Sequence, residues 1–254
     1  MHELMLCLTG VSAGLMGGFL GIGGGVLLVP LLIFLGHDYI GAVATSSFGV
    51  LIISFSGTMR NLYKKSVSFA DISLMGSAAV VTAYLGAMAV PMVHQSFAKL
   101  LFAIMLFCLP LLQKIKSMKP SGGQISFPLP KPITYVVAGG IGGVLAGFFG
   151  VGGGVILVPI QVFLLNTPLK QAVPTSLGVI VFGAGSACIR YSLDNHIDYA
   201  SGAFLGLGGF LGVLVSSNYL PKVKERYIHL SFNGIVLAIA SYILYKAYLG
   251  LQMA

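Results

Sequence analysis

Charge is scarce in this chain: only 8% of its 254 residues are Asp, Glu, Lys or Arg, against about 25% in soluble domains. Acids are the scarcest of all. Glu3, Asp38, Asp194, Asp198 and Glu225 lie at the ends of apolar segments, and Asp71 opens one. A cation transporter or proton pump usually carries a carboxylate within the membrane. An anion path needs none, because a buried carboxylate would repel its cargo. The three cysteines, Cys7, Cys108 and Cys188, sit inside apolar runs without metal-ligand spacing, and an odd number builds no disulfide framework. They read as buried free thiols, small hydrophobes. There is no GxSxG, no HExxH and no acid pair within a span. The chain therefore reads as a non-enzyme, and nothing in it asks for a metal or a cofactor. The N-terminus does not read as a signal peptide, since it lacks a basic leading region and its apolar run continues past any cleavage point.

What is abundant is hydrophobic surface, 57% of the residues. Charge-free runs cover 4–36, 39–59, 72–93, 132–169, 171–189 and 199–221, with shorter ones at 100–113 and 230–245. A helical span needs roughly 20 apolar residues. The pattern predicts an all-α integral membrane protein with eight hydrophobic segments. The net charge of +8 belongs to bases flanking those segments, so lipid headgroups and topology explain it. Nucleic acid is not an expected partner.

The chain also repeats itself. Residues 18–30 read GFLGIGGGVLLVP and residues 147–159 read GFFGVGGGVILVP; over 10–30 and 139–159, 12 of 21 positions are identical at a constant offset of 129. The same offset relates Thr45, Ser46 and Ser47 to the stretch holding Thr175 and Ser176. This divides the chain into a repeat at 1–113, a basic Pro/Gly/Ser-rich linker at 114–131 and a repeat at 132–254, four segments each.

Segments 1 and 5 are too long for one straight helix. Runs 4–36 and 132–169 would extend roughly 50 and 57 Å as helices, against a hydrocarbon layer of about 30 Å. Each contains a glycine triplet, Gly23, Gly24, Gly25 or Gly152, Gly153, Gly154, and glycine is a poor helix former. Helix, break and short helix is the expected form. The distribution of bases sets the topology. If all eight segments cross, Lys and Arg divide 9 to 5; if segments 1 and 5 enter and leave on one side, they divide 11 to 3. The positive-inside rule favours the second arrangement. Three crossings per half make the repeats inverted, put the linker in the cytoplasm and both termini outside.

GIGGGV is not a nucleotide-binding loop, because no Lys-Ser/Thr follows and no βαβ unit surrounds it. Glycines at every fourth residue, Gly10/Gly14/Gly18, Gly139/Gly143/Gly147 and Gly202/Gly206, fit close helix packing. Three consecutive glycines fit no helical face. They break a helix and bare the N–H groups that start the next one, a site for an anion. Glycine-broken segments in matching halves point to a transporter's binding site. Pro174 is expected to disturb any helix around Thr175 and Ser176. The hydroxyls of Thr45, Ser46, Ser47, Thr175 and Ser176 read either as bonded back to helical carbonyls or as donors toward an anion beside the breaks. Arg60 and Arg190 end segments 2 and 6, as topology markers or as anion-attracting mouths. His229 and Asn233 lie one turn apart in segment 8, as an interhelical hydrogen-bonding pair; His229 alone could carry a coupling proton.

The doubled G-x-G-G-G-x-(L/I)-x-V-P, with a Thr-Ser segment after each copy, resembles the TauE/SafE sulfite exporter family, the TSUP superfamily of membrane permeases. The resemblance covers essentially the whole chain. It implies a multi-pass protein of the cell (inner, cytoplasmic) membrane that carries small sulfur-containing anions, such as sulfite or sulfonates like sulfoacetate, by secondary transport. Carried over by motif, the expected substrate-binding residues are Gly23, Gly24, Gly25, Thr45, Ser46 and Ser47 with Gly152, Gly153, Gly154, Thr175 and Ser176. The N–H groups at Val26 and Val155 would supply fixed positive charge. Relatives that handle thiosulfate use cysteines in the path; Cys7, Cys108 and Cys188 do not map onto that pattern. A passive channel for a small anion or neutral solute and a non-transporting scaffold are the rival readings. Small-residue membrane faces permit a homodimer.

Overall fold

The computed structural model describes residues 2–64, 67–117, 130–165, 167–219 and 225–252. Among the described residues every element is helical: α1 (His2–Leu20), α2 (Gly25–Phe34), α3 (Tyr39–Tyr63), α4 (Phe69–Ala89), α5 (Gln95–Ser117), α6 (Lys131–Phe149), α7 (Gly154–Leu164), α8 (Leu169–Leu193), α9 (Tyr199–Tyr219) and α10 (Glu225–Gln252), with a short 3-10 turn at Val90–Met92. Six of them (α1, α3, α4, α6, α8 and α9) are long and apolar enough to cross a bilayer. This is a multi-pass integral membrane protein. The first segment splits into α1 and α2, the fifth into α6 and α7, each at its glycines. At 10 and 11 residues, α2 and α7 reach about half a bilayer, ~15 Å. Part of the 114–131 linker is helical, because α5 runs on to Ser117 and α6 starts at Lys131; 118–129 lie outside the described residues.

The fourth-residue glycines set the packing. A methyl group added at Gly10, Gly14 or Gly18 of α1 would strike Leu205 O, Gly209 O or the Ser216 hydroxyl of α9. Added at Gly139, Gly143 or Gly147 of α6, it would strike Met75 O, the Thr82 hydroxyl or Ala83 O of α4. Both registers ascend together, so α1 runs parallel to α9 and α6 parallel to α4. In lipid, where hydrophobic burial does not drive helices together, this backbone-to-backbone approach is the main attraction. The most enclosed helices are α3 and α8, at the centre; α5 and α10 pair with each other.

These contacts define two ends. At one, His37 after α2 meets Asp198 before α9, 3.9 Å apart. At the other, Val67 and Ser68 before α4, Tyr135 in the first turns of α6 and Thr167 before α8 lie together. We call the second the linker end and the first the far end. Because α1 starts where α9 starts and α2 returns to His37, the α1–α2 hairpin enters and leaves at the far end. By the same argument α6–α7 enters and leaves at the linker end. The two hairpin tips meet between α3 and α8.

Pro174 does not interrupt α8. It sits in the second turn, where the only intrahelical bond lost is to the carbonyl of Lys170, a residue at the exposed helix start.

Candidate functional site

At each tip the chain turns through left-handed glycines. The N-caps are Gly24, with φ +83°, and Gly153, with φ +73°, a conformation that costs any other L-residue about 1–2 kcal/mol. All of 21–26 and 150–155 are buried. The tips touch backbone to backbone. A methyl on Gly25 would lie 2.6 Å from Gly150 O and from Val151 Cα, and one on Gly154 would strike Gly21 O. Gly25 therefore packs on Gly150 and Val151, and Gly154 on Gly21 and Ile22, across the junction of the halves, while Gly24 and Gly153 pack back on Ala13 of α1 and Gly142 of α6.

The first helical turn leaves donors over. Leu27 and Leu28 both donate to Gly24 O, and Ile156 and Leu157 both donate to Gly153 O. Among the described residues the N–H groups of Gly25, Val26, Gly154 and Val155 meet no acceptor. Such orphan donors carry the positive end of the helix dipole, and two helix starts converge here. Val50 of α3 and Ile180 of α8 cover Gly23 and Gly152 with aliphatic carbon, which keeps the local dielectric low.

The hydroxyls hold the tips. Ser46 donates to Gly150 O at 2.9 Å and Ser176 to Gly21 O at 2.8 Å, so each half's break is tied down by the other half. Ser47 donates to Val43 O and Thr175 to Gln171 O, both within their own helices. Thr45 accepts from the Asp198 N–H at 3.0 Å, at the far end. Three of the five thus reach across to another element.

The remaining candidates lie away from the tips. Arg190 pairs with Asp194 at 2.7 Å, one turn on at the far end. Arg60 closes α3 at the linker end, where its carbonyl accepts from Lys64 N–H. The side chain of His229 lies outside the described residues; Asn233 is half-buried, with its Oδ1 unpartnered among the described residues. Cys188 is buried, but Cys7 is half-buried and Cys108 exposed, because both sit on outward helix faces rather than in the core. Asp198 is held below the usual carboxylate range. Burial pulls its carboxyl up, but the hydroxyl and N–H of Ser201, His37 nearby and the Ala200 N–H outweigh that.

Sequence reasoning missed Ser54, whose buried hydroxyl has no partner among the described residues and lies 2.9 Å from where a methyl on Gly23 would be. It also missed a polar cavity of about 270 Å³ between α4, α6, α7 and α8, lined by Asp71, Tyr135, Gln161, Gln171 and Thr175 among others. Gln161 is the one polar side chain in the α7 sequence, and that is the signal that could have found it.

Comparison with known proteins bears on what this geometry serves. The family described as Sulfite exporter TauE/SafE matches residues 6–243. The chain belongs to the TauE/SafE family. A probable membrane transporter protein of Methanocaldococcus jannaschii is 32% identical over 77% of this chain and 74% of its own length. The probable membrane transporter protein YunE of Bacillus subtilis is 24% identical over 97% of this chain and 98% of its own. The probable membrane transporter protein YfcA of Escherichia coli is 25% identical over 81% and 76%. No solved structure matches. For a TauE/SafE protein the match spans both hairpins, both hydroxyl segments and the cavity, so the features above belong to a membrane transporter.

Proposed function

We propose that this TauE/SafE protein is a secondary transporter, an exporter, of small sulfur-containing anions such as sulfite or sulfonates of the sulfoacetate type. It works by alternating access between two inverted repeats. The observation that carries the reading is the meeting of two helix starts, α2 and α7, with unpartnered N–H groups at the junction of the halves. The oxyanion binds there when the tips part. Backbone donors at Gly25, Val26, Gly154 and Val155 supply fixed positive charge, strengthened by the apolar cover of Val50 and Ile180. The hydroxyls of Ser46 and Ser176, now on Gly150 O and Gly21 O, are freed to donate to the anion as the tips separate. Thr45, Ser47 and Thr175 line the helices along which the halves slide. The linker end faces the cytoplasm and both termini face outside. The membrane is the cell's inner membrane.

The test is thermal stabilisation of the purified protein by sulfite, thiosulfate, sulfoacetate, taurine and sulfate, with urea and chloride as controls. A ligand at 100 times its Kd adds about 2.7 kcal/mol to the native state. Selective stabilisation by a sulfur anion, followed by saturable flux of it in proteoliposomes, is the expected result. A flat panel, or flux that never saturates, overturns the reading.

A further inference from the structure

Two hydroxyls of α3 make no bond. Helical Ser and Thr side chains ordinarily bond back to a carbonyl three or four residues earlier, and Ser47, Ser56, Thr82 and Thr175 do so here. Ser54 and Thr58 do not. Theirs are the only Ser or Thr hydroxyls closed to solvent and without a partner among the described residues. Ser54 is 0% exposed and Thr58 is half-buried. A buried hydroxyl left unpaired carries a desolvation penalty that alanine would avoid. Such a group calls for an acceptor that arrives from elsewhere.

The place of Ser54 says where that acceptor sits. Its Oγ is the nearest atom to the point a methyl on Gly23 would take, at 2.9 Å, ahead of Val50 Cγ1 and Ile180 Cδ1. The hydroxyl is thus turned to the first break, beside the start of α2 with its spare N–H groups. Thr58 lies one turn further on the same face of α3, about 6 Å along the helix, and Asn61, also buried, follows on that face. Because α3 ends at the linker end, these side chains lead from the tips toward that end.

The second repeat lacks this track. At the offset of 129, positions 54 and 58 become Gly183 and Ala187, both buried. The nearest hydroxyl on α8, Ser186, is spent on Val80 O of α4 at 2.6 Å. Around Gly152 the three nearest atoms are all aliphatic carbons of Val50 and Ile180. The two ways out of the junction therefore differ: the one along α3 offers free donors, and the one along α8 does not.

We infer that Ser54 is a ligand of the transported anion beside the first break, and that Ser54 and Thr58 are successive steps of its path between the tips and the linker end. This rests on the reading of the cargo as a small anion held at the tips. Ser46 and Ser176 are committed to carbonyls in the closed arrangement, whereas Ser54 is uncommitted and donates to an anion oxygen without first breaking a bond. Thr58 offers the next O–H, so the anion passes from donor to donor instead of crossing bare aliphatic wall.

Methanesulfonate, sulfite and sulfoacetate are titrated separately against the purified full-length protein, with affinity read from thermal stabilisation and flux from proteoliposomes. Ser54→Ala should weaken binding of each anion that stabilises the wild type by about tenfold or more, the worth of one hydrogen bond to a charged group. Its melting temperature without anion should equal or exceed that of the wild type, because no protein hydrogen bond is lost. Thr58→Val, which keeps the side chain's shape, should leave affinity unchanged and slow saturated flux about tenfold. Gly183→Ala, whose methyl fits 3.4 Å from Ala146 Cβ, should leave affinity unchanged. Wild-type affinity in Ser54→Ala, a loss of affinity matched by a fall in its anion-free melting temperature, or wild-type flux in Thr58→Val overturns the inference and leaves anion binding at the tips standing. If none of the three anions stabilises the wild type, the anion reading falls and this inference with it.

Discussion

Replacing Gly153 with alanine isolates what the close backbone packing inside the α6–α7 hairpin is worth. The perturbation has two parts. An L-residue at φ +73° costs about 1–2 kcal/mol. The added methyl also lands on the carbonyl oxygen of Gly142 in α6, a rigid backbone atom, so α7 must move off α6; overpacking of this kind costs about 1–3 kcal/mol. Gly36 supplies an internal control. It follows α2 at φ +98°, with nothing within 4 Å of an added methyl, so Gly36→Ala carries the dihedral cost alone. Gly153→Ala should therefore lie about 1–3 kcal/mol below Gly36→Ala, or roughly 2–12 °C in melting temperature on the scaling of soluble domains of this size. The assay is thermal unfolding of both variants in one detergent, with flux in proteoliposomes beside it. Flux should fall in Gly153→Ala and persist in Gly36→Ala. Equal melting temperatures would refute the claim that the α6–α7 hairpin is packed backbone to backbone at Gly153.

Ser46→Ala and Ser176→Ala should each destabilise by roughly 1–3 kcal/mol, because each orphans a buried carbonyl in the other half, whereas Ser47→Ala should cost less than about 0.5 kcal/mol, since Val43 O keeps its helical partner; thermal unfolding ranks the three. Asp198 has its folded pKa depressed, so its contribution is complete above the unfolded carboxylate value of about 3.9 and is lost as pH falls from there through the folded value; Asp198→Asn should flatten the acid limb of a stability-against-pH curve below about pH 4. Gly140 of α6 meets only Thr82 Cγ2, at 3.7 Å, so Gly140→Ala should stabilise by about 0.5–1 kcal/mol in the same unfolding assay. A C-terminal reporter that works only in the cytoplasm should stay silent, and its activity would overturn the proposed orientation.

The helix breaks were legible because glycine acts locally: three in a row end a helix whatever surrounds them, and α2 and α7 begin at Gly25 and Gly154. The spacing of Gly10, Gly14 and Gly18 likewise announced a packing face, though not its partner. The bonds from Ser46 to Gly150 O and from Ser176 to Gly21 O span 104 and 155 residues, and nothing local marks a hydroxyl for a distant carbonyl. Pro174 misled because its effect depends on its turn within the helix, which needs the helix start to be known. In the sequence Asp71 only opens a segment; the fold brings α6, α7 and α8 around it. Setting the repeats side by side and asking where they disagree, glutamine at 161 against leucine at 32, would have exposed the cavity from sequence.

The pairing of α1 with α9 also governs how the molecule is made. Gly14 meets a residue that leaves the ribosome 195 positions later, and at about 5–20 residues per second that is roughly 10–40 s. Through that interval the first helix must stand in the lipid with its glycine stripe unmatched. Its lack of charge between Leu4 and Leu20 lets it wait there. The chain's last third then closes around its beginning, so a product truncated before α9 would insert yet have nothing to zip against, and quality control could recognise it by that bare stripe.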